Sequence, residues 1–80
     1  DLAVLGADPA AYAASVAALR AESPLVPGAR WRDARLARLA ELLAGPLFHT
    51  ATGRRLWSAR ATANLLAEQR RLLDDASAAP

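Results

Sequence analysis

The longest helical pattern in the chain runs from Gly53 to Asp75, where neither proline nor glycine follows the first residue. Apolar residues recur there at spacings of three and four, the period of one face of an α-helix. They form two neighbouring stripes, one of Leu56, Ala59, Ala63, Leu66 and Leu73 and the other of Trp57, Ala61, Leu65 and Leu72. Such a face is wider than a coiled-coil seam, so this helix is expected to contact two neighbours, or one neighbour and a partner chain.

A shorter helix is predicted from Pro9 to about Glu22. Asp8 is a favourable N-cap, and proline at the first helical position loses no hydrogen bond. Ser23-Pro24 ends the pattern, because a residue before proline disfavours the helical conformation. The helix is rich in alanine, and its apolar face carries Tyr12, Val16 and Leu19.

A second helix is predicted from about Arg30 to Ala44, ended by Gly45-Pro46. Its apolar side holds Trp31, Leu36, Leu39, Leu42 and Leu43, and its exposed side Arg32, Arg35, Arg38 and Glu41. Glu41 is close enough in register to pair with Arg38. In the connection over residues 24–29, Leu25 and Val26 are expected to lie across the edge of the core.

The predicted fold is therefore all-α: a small three-helix bundle with a long C-terminal helix, or four helices if residues 46–52 form a short one. Residues 1–7 are expected to pack as a lead-in. The domain is predicted to span residues 1–76, with residues 77–80 as a tail or linker and some fraying at Asp74 and Asp75. The chain starts at Asp1 rather than at methionine, which suggests a piece of a longer or processed protein.

Composition narrows the classes of function. All ten basic residues are arginine and cysteine is absent, a pattern typical of GC-rich bacterial coding. The net charge of +2 is too small to indicate a polyanion partner by itself. No apolar run approaches the roughly 20 residues of a membrane span. The compartment is left open, with the cytoplasm favoured.

Candidate chemistry is sparse. His49 is the only histidine and has no serine, cysteine or carboxylate at a spacing that suggests a dyad, so it is interpreted as a structural or surface residue. No catalytic residue, metal site or cofactor is predicted. Arg54 and Arg55, at the start of the last helix, could contact an anion through their guanidinium groups.

What remains is a surplus of apolar residues, 54% of a chain too small to bury all of them. The leading hypothesis is a non-catalytic interaction module that binds a protein partner or a second copy. The predicted partner-binding residues are Trp57, Leu65, Leu66, Leu72 and Leu73. Two alternatives stay open. One is a nucleic-acid-binding domain that uses Arg54, Arg55, Arg60, Arg70 and Arg71, and the other is a helical fragment or small subunit of an enzyme in which His49 lines a cleft.

Overall fold

The computed structural model describes residues 2–45 and 59–78, with side chains for residues 4–45 and 59–76. In these ranges the chain forms a 3-10 helix, Leu2–Gly6, and three α-helices: α1, Pro9–Ala21; α2, Gly28–Ala44; and α3, Ala59–Ala78. The described part of the chain contains no β-strand, and the predicted all-α class is confirmed. The short helix considered for residues 46–52, and the start of the last helix, lie outside the described residues.

The start of α1 follows the prediction. The Asp8 carboxylate accepts hydrogen bonds from the backbone N–H groups of Ala10 (3.0 Å) and Ala11 (3.2 Å), as expected of an N-cap. Pro9 occupies the first position of the helix. Because these N–H groups have no partner within the helix, the side-chain cap sets where α1 begins.

The connection between α1 and α2 is organised by Arg20. Its guanidinium group donates to the carbonyl oxygens of Ser23 (2.8 Å) and Val26 (2.9 Å) and lies 5.5 Å from the ring centroid of Trp31. The Val26 N–H donates to the Ser23 carbonyl, which closes a turn with Leu25 at its outer corner. The prediction that Leu25 lies over the core is therefore wrong, since it is 95% exposed, whereas Val26 is half-buried.

Helix α2 begins two residues earlier than predicted, at Gly28. The Pro27 carbonyl accepts the Trp31 N–H at 2.9 Å and starts the helical hydrogen bonds. The helix ends at Ala44, as predicted, with Gly45 as its C-cap. At the other end of the chain, α3 continues to Ala78, two residues past the domain boundary predicted at residue 76.

Helix α3 is the element against which the others pack. Its most extensive contacts are with the 3-10 helix and α2, and it also contacts α1. The core consists of Leu5, Tyr12, Leu39, Ala61 and Leu65, flanked by Val16, Leu42, Leu43 and Leu72. Asn64 joins the lead-in to α3, because its buried amide donates to the carbonyl oxygens of Leu5 (2.9 Å) and Ala7 (2.8 Å). The predicted packing of residues 1–7 is thus observed for Leu5, which is 7% exposed.

Candidate functional site: the two faces of the last helix

The inner face of α3 carries a buried ion pair. Glu68 is only 2% exposed, and its carboxylate accepts two hydrogen bonds from Arg35 of α2, from Nε at 2.6 Å and from Nη2 at 3.0 Å. The Tyr12 hydroxyl of α1 donates to the same carboxylate, at Oε1. Arg35 Nη2 is also 3.4 Å from the Tyr12 oxygen. One carboxylate on α3 therefore joins all three α-helices.

This network corrects the prediction that Arg35 lies on the exposed side of α2. Its side chain is 13% exposed, and its bidentate contact with a carboxylate belongs to the stronger class of charge-assisted hydrogen bonds. The predicted pair of Arg38 and Glu41 is present at 3.3 Å on the surface. A signal for the buried pair exists in the sequence. Arg35 lies four residues from both Trp31 and Leu39, and Glu68 has the register of the Leu65 and Leu72 stripe.

The electrostatics of the network favour a fixed structural link. Burial, followed by the hydrogen bond and the charge of Glu68, raises the pKa of the Tyr12 phenol to about 12, although Arg35 opposes the shift. The hydrogen bonds that Arg35 donates to Glu68 raise the pKa of Arg35, against the effect of burial. At neutral pH the phenol is therefore a hydrogen-bond donor and the guanidinium is charged. Tyr12 is a poor general base in this state, and both oxygens of Glu68 are already occupied.

The outer face of α3 has a different character. Leu66 is 49% exposed and Leu73 50% exposed, although their neighbours Leu65 and Leu72 lie in or against the core. Successive helical residues point about 100° apart, so the two predicted stripes separate into an inner and an outer one. Leu66 and Leu73 are seven residues apart, two turns or about 10 Å along the axis. We call Leu66, Leu73 and the exposed Ala59 and Ala63 the outer stripe.

The predicted partner-binding residues are thus divided between two environments. Leu65 is 0% exposed and has no surface for a partner, which assigns it to the core alone. Leu72 is half-buried against the same core. Leu66 and Leu73 are at the surface. Trp57, together with Arg54, Arg55 and His49, lies outside the described residues.

The arginines of α3 do not share one face. Arg60, Arg70 and Arg71 are all exposed. Arg60 and Arg71 are eleven residues apart, three turns, and project to the same side of the helix. Arg70 lies about 100° from Arg71, between Leu66 and Leu73, and is 3.6 Å from the Asp74 carboxylate. A continuous basic face of the kind that follows a phosphate backbone is therefore not assembled by these three residues.

A groove lies between α1 and α2, and none of its lining residues belongs to α3. It consists of two adjoining hollows of about 290 and 260 Å³. Leu19, Arg35 and Arg38 line both hollows, and Tyr12 lines the larger one. The buried network thus forms part of the floor of an open, largely apolar groove.

No set of three or more histidine, cysteine, aspartate or glutamate side chains in residues 2–45 and 59–78 is arranged to hold a metal ion. None of the helices in those ranges combines the length and the apolar character needed to cross a membrane. Comparison of the chain with protein-family models, with characterised proteins and with solved structures found no match.

Proposed function

We propose that the protein is a non-catalytic helical interaction module that binds a helix of another protein chain through the outer stripe of α3. The observation that carries this proposal is the pair of half-exposed leucines, Leu66 and Leu73, on the helix whose opposite face holds the core together. Leucines two turns apart with alanines beside them are typical of a helix that packs against a second helix. The alanines let a partner helix approach the backbone closely.

The stripe has the qualities of an interface core. Arg70, which interrupts it, pairs only weakly with Asp74, since both side chains are more than two-thirds exposed. An arginine stem can cover apolar surface while its charged group stays in water, so Arg70 can stay between Leu66 and Leu73 within the contact. The partner expected here is therefore an amphipathic helix that presents leucine-like side chains in the same seven-residue spacing.

Site-specific photo-crosslinking in the source cells tests this proposal. A photoreactive residue at position 66 or 73 is expected to give one and the same covalent product, with a partner protein or with a second copy of the chain. Position 71, also exposed on α3 but about 100° or more away, is the matched control. Equal products from positions 66 and 71, or none from 66 and 73, would contradict the proposal.

A nucleic-acid role through Arg54, Arg55, Arg60, Arg70 and Arg71 has less support, because Arg70 diverges from Arg60 and Arg71. It predicts an affinity for duplex DNA that falls steeply with salt. Binding that is absent at low salt would remove this alternative.

A further inference from the structure

The groove between α1 and α2 is a second candidate surface, independent of the outer stripe. Its floor residues Tyr12 and Arg35 contact Glu68 on the inner face of α3, so a molecule bound in the groove would not touch Leu66 or Leu73. Val4 and Leu19 border the larger hollow and are 37% and 44% exposed. These apolar side chains have room for a partner beside them.

The charged side chains that line the groove, among the described residues, are arginines, although each also has a glutamate partner outside the lining. Arg35 and Arg38 line both hollows, and no carboxylate lines either one among the described residues. Arg35 uses Nε and Nη2 in the network, while its Nη1 donates to no described residue. Arg38 is 57% exposed, and its ion pair among the described residues is with Glu41, which is itself 67% exposed. Arg38 can therefore exchange its solvated contact with Glu41 for a contact with a ligand carboxylate at little cost in free energy.

From these features we infer that the groove binds an acidic amphipathic helix of a partner protein. One apolar side chain enters each hollow, and a carboxylate between them faces Arg35 and Arg38, which lie at the junction of the two hollows. A helix fits better than a small molecule because the groove is open, whereas small-ligand sites enclose 70–90% or more of their ligand. Helix α1, with 13 residues, offers about 20 Å along which such a helix can lie.

The buried network orients Arg35 before a ligand binds. Glu68 and Tyr12 hold the guanidinium group in one orientation, so no side-chain entropy is lost there when a ligand binds. Arg38 is exposed and pairs with the exposed Glu41, so its removal reports on charge recognition without disturbing the core.

The probe is a helical peptide of about 14 residues, long enough to span α1, with leucines at positions i and i+7 and glutamates between them. Its control is the same peptide with glutamine in place of each glutamate. Fluorescence anisotropy is expected to show saturable binding of the acidic peptide, several-fold tighter than the control and weaker at high salt. Arg38→Gln should weaken the acidic peptide by about three- to fivefold and leave the control unchanged. Arg71→Gln, with the same loss of charge on the surface of α3, should have no effect.

A second pair of variants separates this inference from the proposed function. Leu19→Glu, at the rim of the groove, should abolish peptide binding, and Leu66→Glu, on the outer stripe, should leave it intact, with circular dichroism confirming that both variants fold. If Leu66→Glu alone abolishes peptide binding, the peptide binds α3. That result would overturn this inference and would support the outer stripe as a binding surface. Equal affinity for the two peptides, or saturation by dodecanoate and not by peptide, would also overturn it.

Discussion

Replacing Glu68 with leucine is the perturbation that most severely tests the buried network. The substitution leaves the Arg35 guanidinium, 13% exposed, without its carboxylate, and the Tyr12 hydroxyl without an acceptor. Removing one partner of a buried ion pair typically destabilises a protein by about 3–5 kcal/mol. A domain of 80 residues has a total stability of roughly 4–12 kcal/mol, so the loss is a large fraction of it.

The assay is urea and thermal unfolding followed by circular dichroism. For a domain of this size, 1 kcal/mol shifts Tm by about 4–8 °C, so the expected decrease is about 12–40 °C. Because Glu68→Leu could leave the chain unfolded, the decisive comparison is with the combined variant Tyr12→Phe, Arg35→Met and Glu68→Leu. Replacing every member of a buried polar network with apolar groups of similar size is expected to bring stability back to within about 2 kcal/mol of wild type.

Two outcomes would contradict the role given to the buried network. A loss below about 1 kcal/mol for Glu68→Leu would mean that the carboxylate does not join the helices. A combined variant as unstable as the sum of the single losses would mean that the three residues act separately, because non-additivity is the signature of a shared network.

Three further outcomes follow from other contacts. Tyr12 is the only tyrosine, so the tyrosinate absorbance should titrate with a midpoint near pH 12 in the folded protein. Because this pKa is raised from the ordinary 10.0, the contribution of the phenol to the free energy of unfolding should be fully present below about pH 10 and decline towards pH 12. Tyr12→Phe should remove this pH dependence. A midpoint near 10 while the protein is folded would be inconsistent with burial of the phenol. Asp8→Ala should lower the free energy of unfolding by about 1 kcal/mol, whereas Asp8→Asn, which keeps a capping oxygen, should change it little; equal losses would argue against the cap. Asn64→Ala should cost about 1–3 kcal/mol and speed hydrogen exchange around Leu5, and unchanged exchange there would show that the amide does not hold the lead-in.

The helices themselves were predictable because their signals are local. Asp8 caps the start of α1, and Gly45, which precedes a proline in the sequence and is extended, ends α2; both depend on a few neighbouring residues. The two stripes of the last helix were visible from periodicity, and the structure shows which of them is buried. That choice depends on where α1, α2 and the lead-in lie, which a periodic pattern within one helix does not contain.

The buried network was not predicted, for a physical reason. Charge favours the surface unless a partner offsets the loss of hydration, and the partner of Arg35 lies 33 residues away on another helix. The sequence pattern therefore predicts Arg35 on the exposed side of α2, with Arg38. The prediction for Leu25 was wrong in the opposite sense, since an apolar residue expected in the core lies at the surface. The hydrogen bonds that Arg20 donates to the turn hold Leu25 at its outer corner and outweigh the preference of leucine for burial.

The central claim is that the outer stripe of α3 binds a protein chain, and the dissociation constant of the complex with the crosslinked partner tests it most directly. Leu66→Glu and Leu73→Glu should each weaken binding about tenfold or more, since a half-buried leucine contact is lost and a charge enters the interface. Ala67→Glu introduces the same charge at an exposed position about 100° from Leu66 and should change the affinity by no more than about twofold. The free energy of unfolding of all three variants should stay within about 0.5 kcal/mol of that of the wild type. Unchanged affinity in both leucine variants, or an equal loss with Ala67→Glu, would contradict the claim.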